Sequence, residues 1–312
     1  MKAIVIDQYG GKEVLQEREL EVPAIGDDQV LVEIHATSIN PIDWKLREGY
    51  LKEMLPFEFP IILGWDAAGI IAETGKNVSG FKKGDRVFAR PATTNRGTYA
   101  EYTAVDSHLL AKMPEEMSFE EAASIPLAGL TAWQCLVDSG KIQQGDKVLI
   151  HAGAGGVGIF AIQIAKSFGA EVITTASEKN IDFLTSLGAD RIINYKEEEF
   201  SEVLSDVDLV LDSIGGEVQS NSYLVLKENG KLVSIVSPPD EEEAKKAKVN
   251  AGFVWLDPNG EQLQKLADAY SSGNLKPVIG KRFPFSAEGL QEAHALSETH
   301  HARGKIVITV KE

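Results

Sequence analysis

The sequence predicts an α/β protein of two units, a doubly wound parallel sheet inserted into a β-rich, barrel-like unit, and three observations predict it. Up to about residue 122 the chain consists of short alternating or β-branched runs separated by turn residues. From about residue 123 a strand, helix, strand, helix rhythm takes over, which implies right-handed crossovers and a parallel sheet. A final β segment breaks that rhythm, as expected of a chain that returns to its first unit. The 312 residues exceed what one core of ordinary size supports. We therefore expect a β unit at 1–122, a parallel-sheet unit at 123–272 and the return to the first unit at 273–312.

In the first unit the expected strands include Lys2 to Ile6, Gln29 to Ala36, Ala67 to Glu73 and Arg86 to Ala89. A short helix is expected near Pro41 to Glu48, since Asn40 suits an N-cap and Pro41 a first helical position. In the second unit the apolar runs Lys147 to His151, Glu171 to Thr175, Arg191 to Asn194, Leu209 to Asp212 and Lys231 to Val236 read as strands, with a helix at Gly158 to Phe168. A helix at Gly260 to Ala269 ends this unit. Pro277 to Phe285, a helix at Ala287 to Glu298 and a strand at Lys305 to Val310 follow.

Composition narrows the function classes. With 31 basic and 47 acidic residues the formal charge is −16, so the mean field repels nucleic acid and anionic membrane surfaces. No apolar run approaches the roughly 18 residues of a membrane span, and the opening MKAIVIDQYGG lacks the features of a secretory signal. A cytoplasmic protein is the expectation. The single cysteine, Cys135, excludes an intramolecular disulfide and any multi-cysteine metal site.

The strongest motif is Lys147-Val-Leu-Ile-His-Ala-Gly-Ala-Gly-Gly-Val-Gly158, in which Gly153, Gly155 and Gly158 have the G-x-G-x-x-G spacing directly after a strand and at the start of a helix. That context defines a Rossmann nucleotide-binding turn. Gly153 is expected to allow the tight turn, Gly155 to let the backbone approach a pyrophosphate, and Gly158 to allow close helix packing. The N–H groups of Gly156, Val157 and Gly158 open the helix toward the anion. The second strand ends in Thr174-Thr175-Ala176-Ser177, followed by Glu178 and Lys179. Ser177 and Lys179 accommodate a 2′-phosphate and favour NADPH, whereas Glu178 keeps NADH open as the alternative.

Taken in order, these residues resemble the medium-chain dehydrogenase/reductase superfamily, and within it the zinc-free quinone oxidoreductase and enone reductase branch. The stretches that carry the resemblance are Ser38 to Trp44, Pro60 to Gly69, Lys83 to Val87, Gly97 to Tyr102, Pro126 to Ala132, the glycine loop and Gly304 to Val307. The resemblance implies that the first unit is a GroES-like β-barrel carrying the substrate and that the protein is a homodimer. In zinc-dependent relatives the metal is held at positions that here carry Asn40, Trp65 and, less securely aligned, Leu127. An amide, an indole and an alkyl chain are not a zinc ligand set, so no zinc is expected.

Without a metal to polarise an alcohol or aldehyde, substrates that accept hydride readily are favoured. Quinones and α,β-unsaturated carbonyls are such substrates. The resemblance places Asn40, Asp43 and Tyr50 at the substrate, Asn40 as a donor to the carbonyl oxygen, with Thr131 beside the nicotinamide; the residues themselves leave open that Asn40 caps the short helix, that Asp43 orients that helix or a loop without touching substrate, and that Tyr50 is a packed aromatic. It adds Tyr195 and Lys305 as contacts to the adenosine phosphate end. Ser213, Ser237 and Phe253 lie near the carboxyl ends of later strands and are expected near the cofactor. Two other readings stay open, a reductase or dehydrogenase of another carbonyl or alcohol, and a non-enzymatic protein that senses NADPH.

Overall fold

In the computed structural model, which describes residues 1–311, the chain divides into two compact units. Met1–Ala128, Pro258–Ser271 and the stretch from Pro277 onward form the first; Gly129–Asp257 and Ser272–Lys276 form the second.

The first unit is organised on one long strand, Gln29–Ile39, whose side chains are buried almost throughout. Along one edge it pairs antiparallel with Ala67–Thr74, which continues through Arg86–Ala89 to Leu110–Lys112. Its other edge is shared: Tyr102–Asp106 pairs with the first half and Lys305–Thr309 with the last. Ile279–Pro284 lies parallel to Lys305–Thr309. A smaller antiparallel sheet of Gln16–Glu19, Lys2–Ile6 and Ile61–Ile62 closes over a core that includes Ile4, Ile6, Leu46, Trp65 and Leu290.

Register brings distant residues together here. Ile39 lies opposite Ile306, and Ala36 opposite Ala68. Because both pairings are antiparallel, the end of the long strand meets the beginnings of its two neighbours. Asn40, Asp66 and Lys305 therefore gather at one end of the sheet.

The second unit holds six parallel strands in the order Arg191–Asn194, Glu171–Ala176, Lys147–Ile150, Val207–Asp212, Leu226–Ser234, Asn250–Phe253. The order reverses between Lys147–Ile150 and Val207–Asp212, the point at whose carboxyl end such sheets bind ligands. Its core is built from Leu149, Ile173, Val210, Leu232 and their neighbours.

The unit boundaries differ from the sequence expectation in three places, each for a packing reason. The first unit runs on to Ala128 and does not end at 122; just before that end lies the helix Phe119–Ala123, whose Phe119 stacks on His35 with ring centroids 4.2 Å apart. The helix Gly260–Ser271 also belongs there, not to the parallel sheet. Gln264 accepts from the Lys112 backbone at 3.1 Å, and a Cβ at Gly260 would stand 2.4 Å from the His108 carbonyl. Conversely, Ser272–Lys276 stays with the second unit, where Gln163 accepts the Lys276 N–H at 2.7 Å.

The pairing of Gln29–Ile39 with Ala67–Thr74 also depends on Gly69, since a Cβ there would lie 1.9 Å from the Glu33 carbonyl oxygen. Gly69→Ala is expected to lower stability by about 2–3 kcal/mol through strand displacement. A urea titration checks this: the midpoint should fall with an unchanged slope, and an unchanged midpoint would refute the contact.

Candidate active site

Asn40 leads into the helix Pro41–Arg47, which Pro41 begins. Asp43, at the third position of that helix, accepts the Asn40 N–H in the return bond of a capping box. Lys305 donates from Nζ to Asn40 Oδ1 at 2.5 Å, and Asn40 donates from Nδ2 to Asp66 Oδ2 at 2.7 Å. The amide is thus held at both ends. The reverse orientation would set NH2 against an ammonium and oxygen against a carboxylate, so electrostatics fixes it. One proton of Nδ2 is left for another acceptor.

Around this amide the charges are fully enclosed, with Lys305 2% exposed and Asp66 0%. The Lys305 ammonium also donates to the Ile39 carbonyl at 3.2 Å and pairs with Asp66 Oδ2 at 3.5 Å. Three acceptors meet three protons. Asp66 accepts further from Ser38 Oγ at 2.5 Å and from the Leu127 N–H at 2.7 Å, while its carbonyl accepts from Thr37 Oγ1. Ser38 and Asn40, two residues apart, turn the same way at the strand end. Burial pulls the Lys305 ammonium below its usual range, against the raising effect of Asp66 and Asp43.

A second run of bonds fixes the backbone of Asn40. Asp43 Oδ2 accepts the Asn40 N–H at 2.7 Å and the Tyr99 hydroxyl at 2.8 Å. Tyr99 also lies 3.1 Å from His294 Nε2, and His294 Nδ1 lies 3.2 Å from Arg47 Nη1. Arg47 can only donate, so Nδ1 accepts and Nε2 carries the proton given to Tyr99. Every donor in the chain then points from Arg47 toward Asp43. Burial lowers the His294 pKa to about 3, helped by the Arg47 charge, which keeps the ring neutral as this pattern requires. Arg47 is itself buried and paired with Glu298 at 2.8 Å and Glu48 at 2.7 Å.

Two expected roles are corrected by these contacts. Asp43 does not face a substrate: it is 0% exposed, and the carboxylate oxygen that bonds is taken up by Asn40 and Tyr99. Lys305 does not offer its charge to an adenosine phosphate: its ammonium is enclosed beneath Asn40 in the first unit. Tyr50 is 71% exposed, its ring edge-on to Trp44 at 6.3 Å. Trp65 is wholly buried within the core.

In the second unit the nucleotide-binding candidates converge. The loop Gly153 to Gly158 follows the strand Lys147–Ile150, and Gly155 starts the helix Gly156–Ser167. A Cβ on Gly153 would meet Thr174 Oγ1 at 2.1 Å, and one on Gly158 would meet Gly153 Cα at 2.6 Å. Those two glycines serve packing. A Cβ on Gly155 would find only the Ala152 carbonyl, at 3.2 Å, so the loop stays open on that side. The left-handed residue of the turn is Ala152, with φ 52°.

Ser177 and Tyr195 each follow directly on the paired residues Ala176 and Asn194, and exposed Lys179 lies in the next turn. Tyr195 is 54% exposed. Ser213, Ser237 and Phe253 lie at or just beyond the carboxyl ends of the three following strands, Ser213 Oγ donating to the His151 carbonyl at 3.0 Å. An open glycine turn, free helix N–H groups and a basic, hydroxyl-rich strand end fit a dinucleotide with an extra phosphate. Thr131 is buried on the helix Pro126–Trp133. Among the described residues no group of three or more His, Cys, Asp or Glu is arranged to hold a metal.

The comparisons define the class of protein. Residues 26–115 match the family described as alcohol dehydrogenase GroES-like domain, and 187–308 the family described as zinc-binding dehydrogenase. The chain is 39% identical to a 2-methylene-furan-3-one reductase of Solanum lycopersicum, over 99% of this chain and 79% of that protein. It is 37% identical to a chloroplastic NADPH-dependent alkenal/one oxidoreductase of Arabidopsis thaliana, with the same coverages of 99% and 79%. The structure of a quinone oxidoreductase from Coxiella burnetii superposes with a TM-score of 0.92 at 40% identity, over 100% of this chain and 99% of that one. The chain belongs to the medium-chain dehydrogenase/reductase superfamily, in its quinone oxidoreductase and enone reductase branch.

Burial raises the Asp43 pKa from 3.8 to about 7, with Asp66 adding to the rise and the Asn40, Tyr99 and Lys305 contacts opposing it. A raised folded pKa adds stability that is full below the unfolded value and is lost as pH rises through about 7. Asp43→Asn keeps the acceptor oxygen without titrating. Its destabilisation relative to the native chain should therefore be greater at pH 5 than at pH 8, by on the order of 2 kcal/mol in paired urea titrations. A pH-independent difference would show that Asp43 is ionised in the fold.

Proposed function

We propose that this protein is a zinc-independent, NADPH-dependent oxidoreductase that reduces quinones or α,β-unsaturated carbonyls. The observation that carries the reading is the Asn40 amide, clamped between Lys305 and Asp66 with one N–H left to donate. Bound NADPH supplies the hydride. The open glycine turn and the first N–H groups of Gly156–Ser167 receive the pyrophosphate, and Ser177, Lys179 and Tyr195 receive the 2′-phosphate. Asn40 donates to the carbonyl oxygen, where negative charge gathers as hydride arrives. Thr131 supports the nicotinamide, and exposed Tyr50 offers a flat face and a phenol, with water as the other source of the final proton.

Zinc independence rests on chemistry at the matching positions. The Asn40 oxygen is bonded to an ammonium, Trp65 is an indole buried in the core, and Leu127 uses its backbone N–H on Asp66. Stoichiometric zinc in the purified protein would revive the alcohol dehydrogenase reading. The proposal includes a cytosolic homodimer. Asn250–Phe253 pairs with Leu226–Ser234 on one side only among the described residues, and Phe253 and Trp255 are 37% and 46% exposed beside it. An open strand edge with apolar neighbours suits pairing with a second copy, and light scattering after gel filtration should give twice the 33.9 kDa of one chain.

NADPH oxidation should be saturable with 9,10-phenanthrenequinone and with simple enones. Tight NADPH binding without turnover of either class would favour the NADPH-sensing alternative. Lys179→Ala should weaken NADPH binding about ten- to a hundredfold while changing NADH binding less than about twofold, as loss of a charged contact to the 2′-phosphate requires. Cofactor fluorescence titrations measure both, and equal effects would refute the phosphate assignment.

A further inference from the structure

The arrangement beneath Asn40 goes one step beyond naming a donor, and it rests on the reading above. A free asparagine amide presents either its oxygen or its NH2 to a ligand, and only the NH2 stabilises a developing oxyanion. We propose that Lys305 is a positioning residue for the reduction: from inside the β unit, together with Asp66, it holds the Asn40 oxygen inward so that an N–H faces the substrate.

The geometry supports this at each step. Lys305 reaches Asn40 Oδ1 at 2.5 Å, and Asp66 takes one Nδ2 proton at 2.7 Å. Neither partner can drift, because Lys305 begins a strand registered against Ile39 and Asp66 is bonded by Ser38 and by the Leu127 N–H. Both charges are enclosed, so solvent neither screens them nor competes for the amide. A donor set in advance needs no reorganisation when charge appears on the substrate. Arg90, 2% exposed and bonded to Pro91 O at 2.6 Å and Thr93 Oγ1 at 2.7 Å, adds a second buried cation near Asp66 and Asp43 but does not touch the amide.

The test compares two electrophiles. A quinone spreads the incoming charge over an aromatic hydroquinone anion and leans little on one donor, whereas an enone concentrates it on the enolate oxygen. In Lys305→Met, kcat for 3-penten-2-one should fall about ten- to a hundredfold and kcat for 9,10-phenanthrenequinone less than about threefold. NADPH affinity should be unchanged, and Lys305→Arg, which keeps a donor on Oδ1, should restore much of the enone rate. Asp66→Asn/Lys305→Met, in which no buried charge is left alone, carries the same comparison should the single variant fail to fold.

A readout independent of turnover is the carbonyl stretch of ¹³C-labelled cyclohexanone bound to the protein with NADP⁺. Its shift to lower frequency in the native protein should shrink in the variants. Equal loss of quinone and enone rates with an unchanged carbonyl shift would overturn the positioning role alone. A native protein that reduces neither substrate would overturn the functional reading itself, and this inference with it.

Discussion

The constraint on which the first unit depends is the enclosed contact of Lys305, Asp66 and Asn40. Two opposite charges removed from water do not stabilise a fold merely by meeting, because desolvation costs several kcal/mol per ion. Here the cost is offset by saturation: the ammonium has an acceptor for each proton, and the carboxylate gathers the Ser38 hydroxyl, the Asn40 amide and the Leu127 N–H. Removing one partner of such a cluster typically costs about 3–5 kcal/mol. What the cluster secures is a single orientation for a neutral amide that would otherwise turn freely.

That amide is also secured through its backbone. The directional chain from Arg47 through His294 and Tyr99 to Asp43 ends on the Asn40 N–H, and it joins the helix Ala287–Glu298 to the helix Pro41–Arg47. Two independent polar networks therefore converge on one residue, one on its side chain and one on its main chain. The second unit works differently. Its loop gains specificity from what is missing, a side chain at Gly153 that would collide with Thr174 and one at Gly158 that would collide with the Ala152 and Gly153 backbone.

Most of the fold was legible because its signals are local. Alternation and β-branching marked Lys2–Ile6 and Arg86–Ala89, and the glycine spacing marked the start of the helix Gly156–Ser167. Asn40 stood out in the sequence as an amide at a position where relatives hold a metal ligand. Lys305, Tyr99 and His294 were misread or overlooked, since each acts through a partner far away in sequence, whereas Asp43 was given to the substrate although its bond to the Asn40 N–H is a local capping contact. The one local hint lay in the Gly64-Trp65-Asp66 motif, where the carboxylate beside the indole went unused. The helix Gly260–Ser271 was assigned to the wrong unit because periodicity reports that a face is buried and not against what.

By itself the sequence determined the two-unit α/β plan and the glycine turn that opens the helix Gly156–Ser167, because each follows from residue types at short spacing. Tertiary structure decided that Lys305 belongs to Asn40 and not to the cofactor's phosphates. A basic side chain near the chain end carries no mark of its partner. Only the register of Ile306 against Ile39 brings its ammonium to an amide 265 residues away.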